Sequence, residues 1–116
     1  LFMKLLIFLS IIFITNINAS YKALLFNGNC ITCHKTDNLN KSAPKIQEIQ
    51  ENYKNAFPNK KDFITYMSTW VLNPKEETSL MSEDIKKYGL MPQLGYDKTT
   101  LEEISEYIFD TNFDNY

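Results

Sequence analysis

Cys30-Ile31-Thr32-Cys33-His34 is the stretch on which the reading of this chain turns. Two thiols stand three positions apart, and the only histidine follows at once. Pairs at this spacing serve disulfide exchange, metal binding or covalent attachment of a porphyrin, and the neighbouring residues decide among them. Disulfide oxidoreductases carry the pair in a βαβ setting, which this sequence lacks, and have no need of the adjacent imidazole. Zinc takes four ligands. Cys30, Cys33 and His34 supply three, no other Cys or His exists, and adjacent residues converge poorly on one ion. A disulfide here would close a tiny loop and contribute little. The pattern C-x-x-C-H instead suits haem attachment. Thiols three apart reach the two vinyl groups of one ring, and the next residue brings its imidazole to the iron. Cys30 and Cys33 are therefore the expected attachment sites of one haem c, and His34 its iron ligand.

A second axial ligand has to come from elsewhere, because His34 is alone. Methionine paired with histidine is a standard cytochrome ligation that raises the reduction potential. Of the four Met, Met3 lies in the leader and Met67 falls on the apolar face of a predicted helix. Met81 and Met91 remain. Gly89-Leu90-Met91-Pro92 cannot stay helical, since the residue before a proline is pushed towards extended backbone. Such a segment suits a loop draped over a ring face, so Met91 is the preferred ligand. Met81 has helical neighbours and is the alternative.

Outward from these residues the apolar spacing is helical rather than alternating. Helices are expected over about 20–26, ended by Gly28, and after Pro44, a residue suited to a first helical turn. The second places Ile46, Ile49 and Tyr53 on one face. A third is expected from about Lys60 to Leu72, with Phe63, Met67, Trp70 and Val71 inward and Pro74 preventing continuation. A short one follows over about 79–88 with Gly89 as its cap. The last starts near Asp97 to Thr100, with Leu101, Ile104 and Ile108 inward; Asp97, Thr99 and Thr100 are all candidate caps. The fold class is all-α, with about four to five helices joined by long loops.

The first nineteen residues read as an export signal. Lys4 is followed by an apolar run, Leu5 to Ile14, interrupted by Ser10, and then by Thr15-Asn16-Ile17-Asn18-Ala19. Residues 1–19 are thus the expected signal peptide and 20–116 the mature domain. The alternative is an uncleaved N-terminus that anchors the protein to the membrane, although the apolar run is short for a span of about 20 residues. A chain of 116 residues forms one small domain with a thin stability margin. A cofactor bound only to the folded state would widen it. Eight Phe, seven Tyr and one Trp could line a large planar ligand or pack an ordinary core. The net charge is −2, without Arg and without a run of one sign. Nucleic-acid binding wants a basic stripe, so no nucleic-acid partner is expected.

Residues 20–116 resemble a small class I cytochrome c almost from end to end. The motif Cys30 to His34 is similar to the family's attachment site, and Met91-Pro92 to its distal ligand loop. Ser42-Ala43-Pro44 resembles the proximal loop, which implies that the Pro44 carbonyl accepts a hydrogen bond from His34. The final helix resembles the family's C-terminal helix, which implies that Tyr107 packs across Phe26. The segment from Tyr53 to Met81 departs from the family, being longer and more helical than in its shortest members.

The expected function follows. With His34 and Met91 both on the iron, no position stays open for substrate, and the protein carries one electron at a time in the periplasm. It is then an electron carrier rather than an enzyme, a monomer with redox partner proteins and no stable membrane insertion after signal cleavage. Lys35, Lys41 and Lys45 are expected to ring the exposed haem edge and meet an acidic partner. The alternatives are a haem c subunit of a larger respiratory oxidoreductase, or a haem enzyme or sensor with an open iron position.

Overall fold

The computed structural model describes residues 2–37 and 42–116, and within 8–20 the backbone alone. Among these residues the chain is all-α. The helices are α1 (Phe2–Asn29), α2 (Ile46–Ala56), α3 (Lys60–Leu72), α4 (Ser82–Tyr88) and α5 (Lys98–Asp110). Single 3-10 turns occupy Glu76–Thr78 and Phe113–Asn115.

Helix starts follow side-chain chemistry. Asn59 opens α3 by accepting from the backbone N–H groups of Lys61 and Asp62, two of the four donors that a helix start leaves without partners. Asp97 opens α5 by accepting from the Thr100 N–H at 2.8 Å, and so is the cap among its three candidates. That bond, to both side chain and backbone of Thr100, also holds the Asp97 carboxyl below its ordinary range. Gln50 serves the opposite need. Its amide donates to the carbonyls of Ile108 and Thr111, each at 2.7 Å, tying α2 to the end of α5.

Two helices differ from the sequence reading. Gly28 does not end α1, which continues to Asn29. The Phe26 carbonyl accepts from Cys30 N at 2.9 Å and from Ile31 N at 3.4 Å, carrying the turn past the glycine. The N-terminal part of α1 bears exposed Phe2, Met3, Leu5, Leu6 and Ile7. Among the described residues no helix is long and apolar enough to cross a membrane. The second difference is α4, which begins at Ser82 rather than near Ser79 and leaves Met81 outside the helix as its N-cap.

The core gathers where α5 meets α3 and α1, its most extensive partners. Phe26 is fully buried. Its ring centroid lies 5.4 Å from that of Tyr107, 5.3 Å from Phe113 and 5.8 Å from Tyr116. On the other side Phe63 meets Phe109 edge-on at 5.0 Å and Tyr53 at 5.7 Å. At the surface Glu106 bridges Lys22 at 2.9 Å and Lys60 at 3.1 Å, linking α1, α5 and α3. These groups are part-exposed, so water screens most of their attraction.

Phe26→Ala is accordingly expected to cost about 3–5 kcal/mol, read as a lower urea midpoint at unchanged slope. Glu106→Gln is expected to cost under about 1 kcal/mol in the same measurement.

Candidate haem site

The residues singled out in the sequence begin at the end of α1. Cys33 N donates to the Cys30 carbonyl at 3.3 Å and His34 N to the same oxygen at 2.9 Å. The five-residue motif is therefore one further turn that carries on where the helix stops. The two thiols are not joined in a disulfide. Cys30 and His34 face a cavity, whereas Cys33 is exposed and lies outside the cavity wall. Burial pushes the Cys30 thiol up to about 11, and charge on Cys33 adds to the rise.

His34 Nδ1 lies 2.8 Å from the Pro44 carbonyl oxygen. A carbonyl only accepts, so Nδ1 carries the proton. The lone pair of the neutral ring is then on Nε2, the atom with which the ring can bind metal. Burial also holds the imidazole below its ordinary value, with the Pro44 bond opposing. Pro44 can accept because of where α2 starts. Lys45 is the N-cap and its carbonyl takes the Ile49 N–H. Pro44 thus sits one residue before the cap rather than in the first turn, and its oxygen is outside the helical ladder.

The cavity spans about 920 Å³ of space between the helices, including its open mouth. Ile46, Ile49 and Tyr53 of α2 form one wall, and Met67, Trp70 and Val71 of α3 another. The α5 side supplies Leu101, Ile104 and Ile108. The segments flanking α4 supply Met81 and Met91. His34, Cys30 and the thioether sulfurs in this apolar wall are donors of the kind a haem c would take, whereas the second thiol expected to attach it, Cys33, lies outside the wall. Among the described residues no group of three or more Cys, His, Asp or Glu could hold a bare ion.

Three findings were not legible in the sequence. Both candidate sulfurs stand on non-helical backbone, so helical neighbours no longer separate Met81 from Met91. Met67, read as core, is only 3% exposed and also lines the cavity. Among the described residues the aromatic side chains mostly pack elsewhere: Tyr53, Trp70 and Tyr96 reach the wall, and no Phe does. Trp70 and Tyr66 have a further task. The indole donates to the Lys75 carbonyl at 2.9 Å and the phenol to the Thr78 carbonyl at 2.5 Å. Those bonds hold the segment leading to Met81 against α3. Of the three lysines expected at the haem edge, Lys35 is exposed and Lys45 half-buried, while Lys41 lies outside the described residues.

No protein-family profile matches the chain, and no solved structure matches it. An uncharacterized protein of Aquifex aeolicus (strain VF5) is 30% identical over 76 residues. The match covers 65% of this chain and 49% of that protein, so the chain spans about half the length of its relative.

In the haem-free protein, iodoacetamide at pH 8 is expected to modify Cys33 roughly tenfold or more ahead of Cys30, whose thiolate is suppressed. Raising the pH towards 11 should narrow the gap as the Cys30 thiol ionises. Peptide mass spectrometry measures both rates.

Proposed function

We propose that this chain is a monohaem c-type cytochrome that carries single electrons between redox partners in the periplasm. The observation that carries the reading is one apolar cavity bordered by Cys30, His34 and Met91, with the His34 tautomer fixed by Pro44. The all-α architecture is compatible with a class I cytochrome c fold. The haem, when bound, supplies an iron that changes between two oxidation states one electron apart.

The chain's own residues supply the rest. Cys30 and Cys33 would add their S–H groups across the two vinyl groups, each sulfur bonding one vinyl carbon and each hydrogen going to the other. No oxidant is needed for that addition. His34 would hold the iron through Nε2, and its bond to Pro44 keeps the ring from turning and raises its basicity. Met91 would supply a second ligand, leaving the iron closed to substrates and favouring transfer over catalysis. The apolar walls would disfavour a more highly charged oxidised centre and add to the effect of a thioether ligand on potential. Residues 1–19 act as an export signal in this reading, delivering the chain to the compartment where haem attachment takes place. Lys35 and Lys45 would assist brief, charge-steered docking.

Mass spectrometry of material from a host competent for haem attachment tests the proposal. The expected mass lacks residues 1–19 and includes one covalent haem. A colourless protein with two alkylatable thiols would end it. Met91→Ala is expected to abolish the weak near-red sulfur-to-iron band and lower the potential, with Met81→Ala leaving both nearly unchanged. The reverse outcome assigns the ligand to Met81.

A further inference from the structure

Between α4 and α5 the chain runs without helix over residues 89–97. Gly89 and Gly95 take positive φ values of 88° and 78° within this strap, which glycine adopts without strain. Met91, Leu94 and Tyr96 of the strap face the cavity. Two side chains tie it down. Gln93 Nε2 donates to the Leu72 carbonyl at the end of α3, 3.1 Å away and exposed to water. Tyr96 donates its hydroxyl to Asn29 Oδ1 at 2.5 Å, where both groups are part-buried.

The Asn29 amide cannot turn round, because its Nδ2 donates to the Leu25 carbonyl at 2.7 Å. Its oxygen is therefore the atom left for Tyr96, and the phenol must be the donor. Asn29 is the last residue of α1 and immediately precedes Cys30. One hydrogen bond thus joins the strap bearing Met91 to the turn bearing Cys30 and His34.

We infer that Tyr96 is a positioning residue: its hydroxyl, held by Asn29, clasps the Met91 strap shut against the attachment turn. The inference rests on the proposed haem site and concerns how that site stays closed. Opening the strap would withdraw Met91 from the cavity. The clasp lowers the open fraction, because part-buried partners lose a bond that water replaces poorly. The exposed Gln93 tie contributes less by the same argument.

The test uses the haem-loaded protein with imidazole as probe, a ligand that can take the iron only when Met91 leaves it. Its apparent affinity is then proportional to the open fraction. Tyr96→Phe keeps the ring in the wall and removes the hydroxyl. It is expected to tighten imidazole binding roughly five-fold, the factor for one net hydrogen bond, read from loss of the near-red band during titration. Asn29→Ala should act alike, and the double variant should add little, because both changes remove the same bond.

Tyr116→Phe is the control. Tyr116 donates to Asn27 on the same helix but lies outside the cavity wall, so its loss should leave imidazole affinity unchanged. Equal tightening in both Tyr variants would mean general loosening and overturn the clasp. So would unchanged imidazole affinity in Tyr96→Phe when the near-red band is present beforehand, and the electron-transfer reading would then stand. A protein with no haem, or with haem but no near-red band, overturns the clasp and the His34/Met91 site together.

Discussion

The contact between His34 Nδ1 and the Pro44 carbonyl is the one on which the site depends. A neutral imidazole has one donor and one acceptor nitrogen, and this bond decides which is which. It also joins the turn after α1 to the residue before the α2 cap, so two separately formed helices meet through one ring. Without a partner, that half-buried ring would rotate and its acceptor nitrogen would have no set direction. The bond exists because α2 starts at Ile46 and leaves the Pro44 oxygen outside its ladder. A backbone detail at a helix start thereby sets the chemistry of a side chain ten residues earlier.

The apolar residues divide between two tasks. Phe26, Tyr107, Phe113 and Tyr116 pack where α1 crosses α5 and need nothing else to fill the space. Ile46, Tyr53, Met67, Ile104 and Ile108 are buried in the core yet also border the cavity. A small domain gains little from a wall that faces open space, since atoms without neighbours forgo dispersion contacts. Filling the cavity would complete that part of the core, so binding and folding are expected to reinforce each other.

Much of this was legible in the sequence because it rests on local chemistry. The bounds of α3 match their reading from Lys60 to Leu72, set by a cap at Asn59 and by Pro74. Ile46 and Tyr53 are buried as their spacing requires. The Phe26–Tyr107 contact and the His34–Pro44 bond, both implied by family resemblance, are present. What was not legible depends on tertiary placement. Helix spacing marks Met67 as inward but cannot separate a core from a cavity wall. Tyr96 and Asn29 lie 67 positions apart, and no pattern in either neighbourhood announces their meeting. The backbone around Met81 escaped the reading too: the Ser79 hydroxyl accepts from the Met81 N–H at 3.0 Å, a local bond that competes with helix, and α4 starts only at Ser82.

Lining one slot with Met67, Met81 and Met91 has an effect apart from ligation. Unbranched thioethers bend to irregular shapes more readily than leucine or isoleucine, so the wall can adjust to whatever fills it without strain. The same sulfurs accept oxygen from peroxides, and each sulfoxide would set a polar group in an otherwise greasy lining. Met67, sealed at 3% exposure, is sheltered from such damage. Met91, half-buried beside exposed Leu90 and Leu94, is the sulfur an oxidant meets more readily.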